Sequence, residues 1–219
     1  MAAPKALGID ADLYAYMIAH GTPPDPVLAR LAEDTLAMGE ISRMQIAPEQ
    51  GALLTMLAQL LGATLIVEVG TFTGYSSVCL ARGLATGGRL ICCDVSTKFT
   101  ARAEQAWKEA GVDDRVELRI GPAADTLRAM PTDAIVDLSF IDADKGGYPV
   151  YYEELLVRTR PGGVIAVDNV LWSGQVIDAS DTSEHTENMR RFNDMVAADD
   201  RVDRVMLAIA DGLTLCRKR

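Results

Sequence analysis

The chain has 219 residues, 49% hydrophobic and 24% charged, enough to bury the core of one globular domain. A formal charge of −10 repels nucleic acid and anionic membrane, so neither is expected as an unaided partner. Four cysteines, Cys79, Cys92, Cys93 and Cys216, lack metal-type spacing and point to a reducing cytoplasm, and no signal peptide or membrane span is visible.

Ile9, Leu13, Tyr14, Met17 and Ile18 recur at helical spacing until Gly21-Thr-Pro-Pro-Asp25 breaks the pattern. Asp25 is the expected N-cap of a second helix marked by Val27, Leu28, Leu31, Leu36 and Met38. Pro48 opens a third, whose stripe of Leu53, Leu54, Leu57, Leu60 and Leu61 ends at Gly62. Residues 1–62 thus read as helices ahead of a core over 65–219, either a lid on a ligand or a subunit contact.

In Leu65-Ile-Val-Glu-Val-Gly-Thr-Phe-Thr-Gly-Tyr-Ser-Ser77 an apolar, β-branched run meets glycines at 70 and 74, and helical spacing follows. This strand, tight loop and helix predict a ligand cradle at the carboxyl end of a parallel strand, with glycines admitting the ligand to the backbone. Gly70-Thr-Phe-Thr-Gly74 lacks the middle glycine of the dinucleotide fingerprint, and Glu68 beside it disfavours phosphate. A carboxylate there suits a cationic ligand such as S-adenosylmethionine.

From 65 onward strands (65–69, 89–94, 116–120, 135–141 and 163–167) alternate with helices starting near Tyr75, Thr97, Ala123 and Tyr148. That order predicts a doubly wound α/β fold, a parallel sheet covered on both faces. Segments 202–210 and 213–217 flank Asp211-Gly212 and predict a C-terminal antiparallel hairpin.

Asp94 ends the second strand 24 positions after Gly70, where an acidic side chain can accept both ribose hydroxyls of an adenosine cofactor. A nicotinamide nucleotide carries the same ribose, so an oxidoreductase stays open at this point. Gly121-Pro-Ala-Ala124 puts small residues at the third strand end, leaving room for adenine. The fourth strand runs into Asp142-Ala-Asp-Lys145 and the fifth into Asp168-Asn169. Asp142, Asp168 and Asn169 offer two carboxylates and an amide oxygen, a hard set suited to Mg²⁺, Mn²⁺ or Ca²⁺, with positions open for two adjacent substrate oxygens. Lys145 can reach that centre as a base, or pair with Asp144 at the surface. Trp172 could wall an aromatic acceptor, and the Gly-, Asp- and Ser-rich stretch 172–183 borders its pocket; His20 and His185 have no partner spacing.

Together, Val67-Glu-Val-Gly-Thr-Phe-Thr-Gly-Tyr-Ser76, Phe140-Ile-Asp-Ala-Asp-Lys145, Val167-Asp-Asn169 and Thr186-x-x-x-Arg190-x-Phe192-Asn193 resemble the cation-dependent O-methyltransferases of the catechol and caffeoyl-coenzyme-A type, from about 45 to the C terminus. The resemblance implies a seven-stranded class I methyltransferase fold and S-adenosylmethionine contacts at Ile46, Glu68, Gly70, Thr71, Ser76, Asp94, Ala123 and Asp142. It also implies metal ligands Asp142, Asp168 and Asn169, Lys145 as catalytic base, a small catechol-like acceptor and a homodimer. Some bacterial relatives methylate a hydroxyl of a modified transfer-RNA base, an alternative the acidic charge disfavours.

Overall fold

The structure is a computed structural model describing residues 8–133 and 135–219. Three helices come first, α1 (Ala11–His20), α2 (Pro26–Leu36) and α3 (Pro48–Leu60). Asp10 caps α1 by accepting the Leu13 N–H at 2.9 Å, but none of that helix's residues is buried. Asp25 caps α2 as expected, accepting from Val27 and Leu28 at 3.1 and 3.0 Å. Met38 falls outside α2, ahead of a short 3-10 segment, Gly39–Met44.

In α3 the buried face is Gln50, Gly51, Leu54 and Ala58, whereas Leu60 of the predicted stripe is 77% exposed. Small residues explain the rotation, because α3 packs against α4 (Tyr75–Gly83) through a glycine seam. A Cβ on Gly83 would sit 2.5 Å from that of Ala58, and one on Gly51 would sit 2.9 Å from Cys79 Sγ. Backbones this close leave no room for a leucine between them.

The core is one seven-stranded sheet in the order β3-β2-β1-β4-β5-β7-β6: β1 (Leu65–Val69), β2 (Arg89–Asp94), β3 (Val116–Ile120), β4 (Val136–Ile141), β5 (Thr159–Asp168), β6 (Val202–Leu207) and β7 (Leu213–Lys218). The first five are parallel, and β7 lies antiparallel between β5 and β6. Helices α5 (Thr97–Ala110), α6 (Ala123–Ala129), α7 (Tyr148–Arg158) and α8 (Glu184–Ala198) complete the layers. Alternate strand residues feed two buried clusters, Ile66, Cys92 and Phe140 on one face and Val67, Cys93 and Ile141 on the other, as expected of a sheet covered on both sides.

Two details differ from expectation. Strand β5 starts four residues early, at Thr159, with a bulge between its pairings to Val136 and Leu138. The hairpin connection is also longer than Asp211-Gly212 alone, because β6 stops at Leu207. The Gly212 N–H donates to Ile209 at 2.8 Å, and the carbonyls of Asp211 and Gly212 accept from Leu171 and Val170. Those bonds hook the turn onto the chain leaving β5.

Register decides where chemistry collects. Val69 pairs with both Cys93 and Ile141, and Ile141 pairs with Val167, so Gly70, Asp94, Asp142 and Asp168 emerge side by side at the carboxyl edge. Strand ends are laced: Gly70 N–H to Cys93 O at 2.9 Å, Asp142 N–H to Val69 O at 2.8 Å and Gly121 N–H to Asp94 O at 2.9 Å. Gly70 has φ +92°, and a Cβ there would lie 1.9 Å from the Asp142 carbonyl oxygen. Gly70→Ala is therefore expected to cost about 2–4 kcal/mol in denaturant unfolding. Gly111→Ala, also at positive φ but facing open space, should cost only about 1 kcal/mol.

Candidate active site

The turn after β1 is built by its neighbours. Asp94 Oδ2 accepts the N–H groups of Thr71 and Phe72, both at 2.9 Å, and Oδ1 accepts that of Ser96 at 2.7 Å. Its carboxylate thus clamps the turn that it was expected to share with a ribose. The glycines likewise serve packing: the missing Cβ of Gly70 faces the Asp142 carbonyl, and that of Gly74 faces Ala103, 2.7 Å from its Cβ. At both positions the space a Cβ would need is filled by protein.

Glu68 lies beneath this turn, fully buried, beside Thr71, Ser76, Cys92 and Asp94, with neither carboxylate oxygen hydrogen-bonded to a described residue. Burial is the main cause that pushes its pKa from 4.5 up to about 7, with the charge of Asp94 adding to it. Thr71 Oγ1 is also buried without a partner. A cationic ligand with hydrogen-bond donors and acceptors would satisfy both. Ser76, in the first turn of α4, is nearly buried. Ile46 and Ala123 lie in the clusters on opposite faces of the sheet. Ala123 is two residues from Gly121, whose bond to Asp94 brings the start of α6 to the end of β2.

Beyond Gly70, Asp142 and Asn169 come together at Lys145, and Asp168, next to Asn169, lies near enough to Asp142 for that charge to act on its carboxyl. The Lys145 ammonium donates to Asn169 Oδ1 at 2.6 Å, Tyr148 Oη at 2.6 Å and Asp142 Oδ1 at 3.3 Å. The surface pairing with Asp144 does not occur: Asp144 accepts instead from Tyr151 Oη and Gly147 N–H. Tyr148, marked in the sequence only as a helix start, is fully buried and also donates to the Asp168 carbonyl at 3.2 Å. Its place one helical turn past Lys145, at the start of α7, was the available signal.

Burial raises the pKa of Asp142 against the pull of Lys145, and burial followed by the charge of Asp142 pushes Asp168 up to about 7. Two desolvated carboxylates need positive charge between them, and Lys145 provides one such charge here. No group of three or more His, Cys, Asp or Glu that could hold a metal occurs among the described residues. A cation at this edge would therefore take the Asn169 amide oxygen with the two carboxylates, an oxygen-only set that fits Mg²⁺ or Mn²⁺.

Backbone strain collects at the same edge. Phe72, Asn169, Trp172 and Ser173 all have φ between +48° and +60°, a region costly for residues with a Cβ. Trp172 places its ring 5.7 Å from Lys145 Nζ and 5.8 Å from the His185 ring. The late motif explains how the stretch after it is held. Arg190 donates to the carbonyls of Gln175, Val176, Asp178 and Asp181, Thr186 Oγ1 donates to Asp181, and Asn193 donates to Val170 O at 2.8 Å. Phe192 packs edge-on against Tyr148 at 5.4 Å.

A raised folded pKa means that the Glu68 contribution to stability is complete below pH 4.5 and is lost as pH rises through about 7. Glu68→Gln should match the wild type near pH 4 and exceed it by about 3 kcal/mol near pH 8 in denaturant unfolding. An equal difference at both pH values would mean that Glu68 does not titrate in this range.

Residues 19–219 match the O-methyltransferase family. Similar proteins include a probable caffeoyl-CoA O-methyltransferase 1 of Dictyostelium discoideum, 40% identical with 93% of this chain and 90% of that protein covered. A catechol O-methyltransferase of Niastella koreensis is 37% identical, with 89% and 90% covered. The crystal structure of an O-methyltransferase from Bacillus cereus in complex with SAH superposes with a TM-score of 0.85 at 35% identity, covering 94% of this chain and 96% of that one. With its β7 inserted antiparallel between β5 and β6, its strand-turn-helix at 65–77 and this likeness along nearly its whole length, the chain belongs to the class I S-adenosylmethionine-dependent O-methyltransferases of the caffeoyl-CoA and catechol type.

Proposed function

We propose that this enzyme transfers the methyl group of S-adenosylmethionine to one hydroxyl of a catechol-like vicinal diol, with a divalent cation held by Asp142, Asp168 and Asn169. The observation carrying this reading is the convergence of Asp142 and Asn169 oxygens on the Lys145 ammonium, next to the turn that Gly70 presses against Asp142. In this reading Ile46, Glu68, Gly70, Thr71, Ser76, Asp94, Ala123 and Asp142 line the cofactor site, and Glu68 supplies the negative charge its cationic end requires. The nicotinamide alternative has no place in this family.

When bound, S-adenosylmethionine supplies an electrophilic methyl on sulfur, and the cation supplies charge that stabilises the acceptor as an oxyanion. Beside a divalent cation the Lys145 ammonium would release its proton to solvent, and the neutral Nζ, oriented by Tyr148 Oη and by the ring of Trp172, would then take the hydroxyl proton. Contact between Gly70 and Asp142 brings cofactor turn and acceptor edge within reach of each other, and such positioning is worth up to about 7–11 kcal/mol of a transfer barrier. Arg190 fixes the chain over 175–181 that borders the acceptor.

The buried, free cysteines fit a reducing cytoplasm, and no helix among the described residues is long and apolar enough to cross a membrane. Exposed Ile9, Tyr14, Tyr16 and Met17 on or beside α1 favour a homodimer that covers them.

Screening vicinal diols and a modified transfer RNA with methyl-labelled cofactor tests the acceptor class; transfer to RNA alone would reject it. Asp168→Ala should abolish cation-stimulated transfer to a catechol with the fold retained, whereas undiminished wild-type activity in excess chelator would remove the metal role. Lys145→Ala is expected to lower turnover by roughly 100-fold or more while changing cofactor affinity little.

A further inference from the structure

A hydrogen bond between two buried threonines joins the helices ahead of the sheet to the turn after β1. The Thr35 hydroxyl, in the last turn of α2, donates to Thr73 Oγ1 at 3.0 Å, 38 positions along the chain. A threonine in a helix commonly bonds the carbonyl four residues back, as Thr55 does to Gly51. Thr35 reaches across to the turn instead. Valine has the same branched shape, so filling this space does not by itself call for a hydroxyl.

The helix that carries Thr35 is fixed independently of the turn. Leu28 and Leu31 of α2 are buried in the core cluster on one face of the sheet, and Asp25 at its start pairs with Arg82 of α4 at 2.5 Å. Thr73 directly follows the two residues whose N–H groups Asp94 holds, Thr71 and Phe72. Phe72, with φ +51°, therefore lies between two anchors, in a conformation that persists only where the surroundings impose it. The turn is held from β2 on one side and from α2 on the other.

We propose that Thr35 is a positioning residue for the cofactor: through Thr73 it keeps the turn after β1 in the shape that S-adenosylmethionine binds. The inference rests on the reading of that turn as part of the cofactor site, and it gives α2 a role distinct from a lid or a subunit contact. A turn freed to relax spends only part of its time in the binding shape, and apparent affinity falls by that fraction.

Calorimetric titration of the full-length protein with S-adenosylhomocysteine, alongside thermal unfolding, tests this. Thr35→Val is expected to weaken binding by roughly 3–10-fold, the worth of one buried hydrogen bond, and Thr35→Ser to restore it. Thr73→Val should cost a similar factor, and the double variant no more than either single one, because the two hydroxyls act through one bond. Thr35→Ala stands in if the valine variant does not fold. Glu68→Gln separates this inference from the reading beneath it. Weakened binding in Glu68→Gln with unchanged affinity in Thr35→Val, whatever its unfolding temperature, overturns the inference alone and leaves the bond a structural one. Losses that add in the double variant overturn it as well. If Glu68→Gln binds S-adenosylhomocysteine as tightly as the wild type, the turn is not the cofactor site and both fail.

Discussion

Two carboxylates on adjacent parallel strands cannot both stay ionised at a buried sheet edge unless positive charge stands between them. Neighbouring strands lie about 4.8 Å apart, and the pairing of Ile141 with Val167 makes Asp142 and Asp168 the next residues on β4 and β5. Burial raises the pKa of both, and the charge of Asp142 raises that of Asp168 further. Lys145 relieves this by bridging Asp142 and Asn169 from the loop between β4 and α7. The edge is thus electrostatically incomplete as built from carboxylates alone, and it is chemically useful for the same reason.

The turn after β1 depends on that edge through backbone and on Asp94 through its carboxylate. Gly70 rests on the Asp142 carbonyl, the Asp142 N–H bonds to Val69, and Asp94 clamps Thr71 and Phe72. A shift of β4 would move the turn and the acidic edge together. Strain is concentrated at the same place, with Phe72 on one side and Asn169, Trp172 and Ser173 on the other held at positive φ. The lacing of the strand ends and the grip of Arg190 on four carbonyls hold these conformations in place.

Much of the architecture is legible in the sequence where local chemistry and global fold agree. The run from Leu65 to Ser77, the helix starts at Tyr75, Thr97, Ala123 and Tyr148, and the cap at Asp25 all follow from short-range rules. Periodicity fails at Leu60, since it reports which residues are apolar but not which face a glycine seam will bury. It also overruns at β6, where bonds from Val170 and Leu171 to the hairpin turn set the length of the connection. Within the site, the acidic strand ends were readable because they directly follow apolar runs. Tyr148 was legible only as a helix start one turn past Lys145, because its bond to the Asp168 carbonyl appears only once β4 and β5 are paired. Asp94 was readable as a residue, but its hold on the turn's N–H groups appears only once β1 and β2 are paired.

The central claim is that the Lys145 ammonium stands among oxygens assembled for a divalent cation. A crystal structure of the protein grown with Mn²⁺ and S-adenosylhomocysteine, with the metal located by its anomalous scattering, tests it most directly. The account predicts one ion ligated by Asp142, Asp168 and Asn169, with the lysine amine moved aside from Asp142. Manganese absent from that edge, with Lys145 still bridging Asp142 and Asn169, would contradict it.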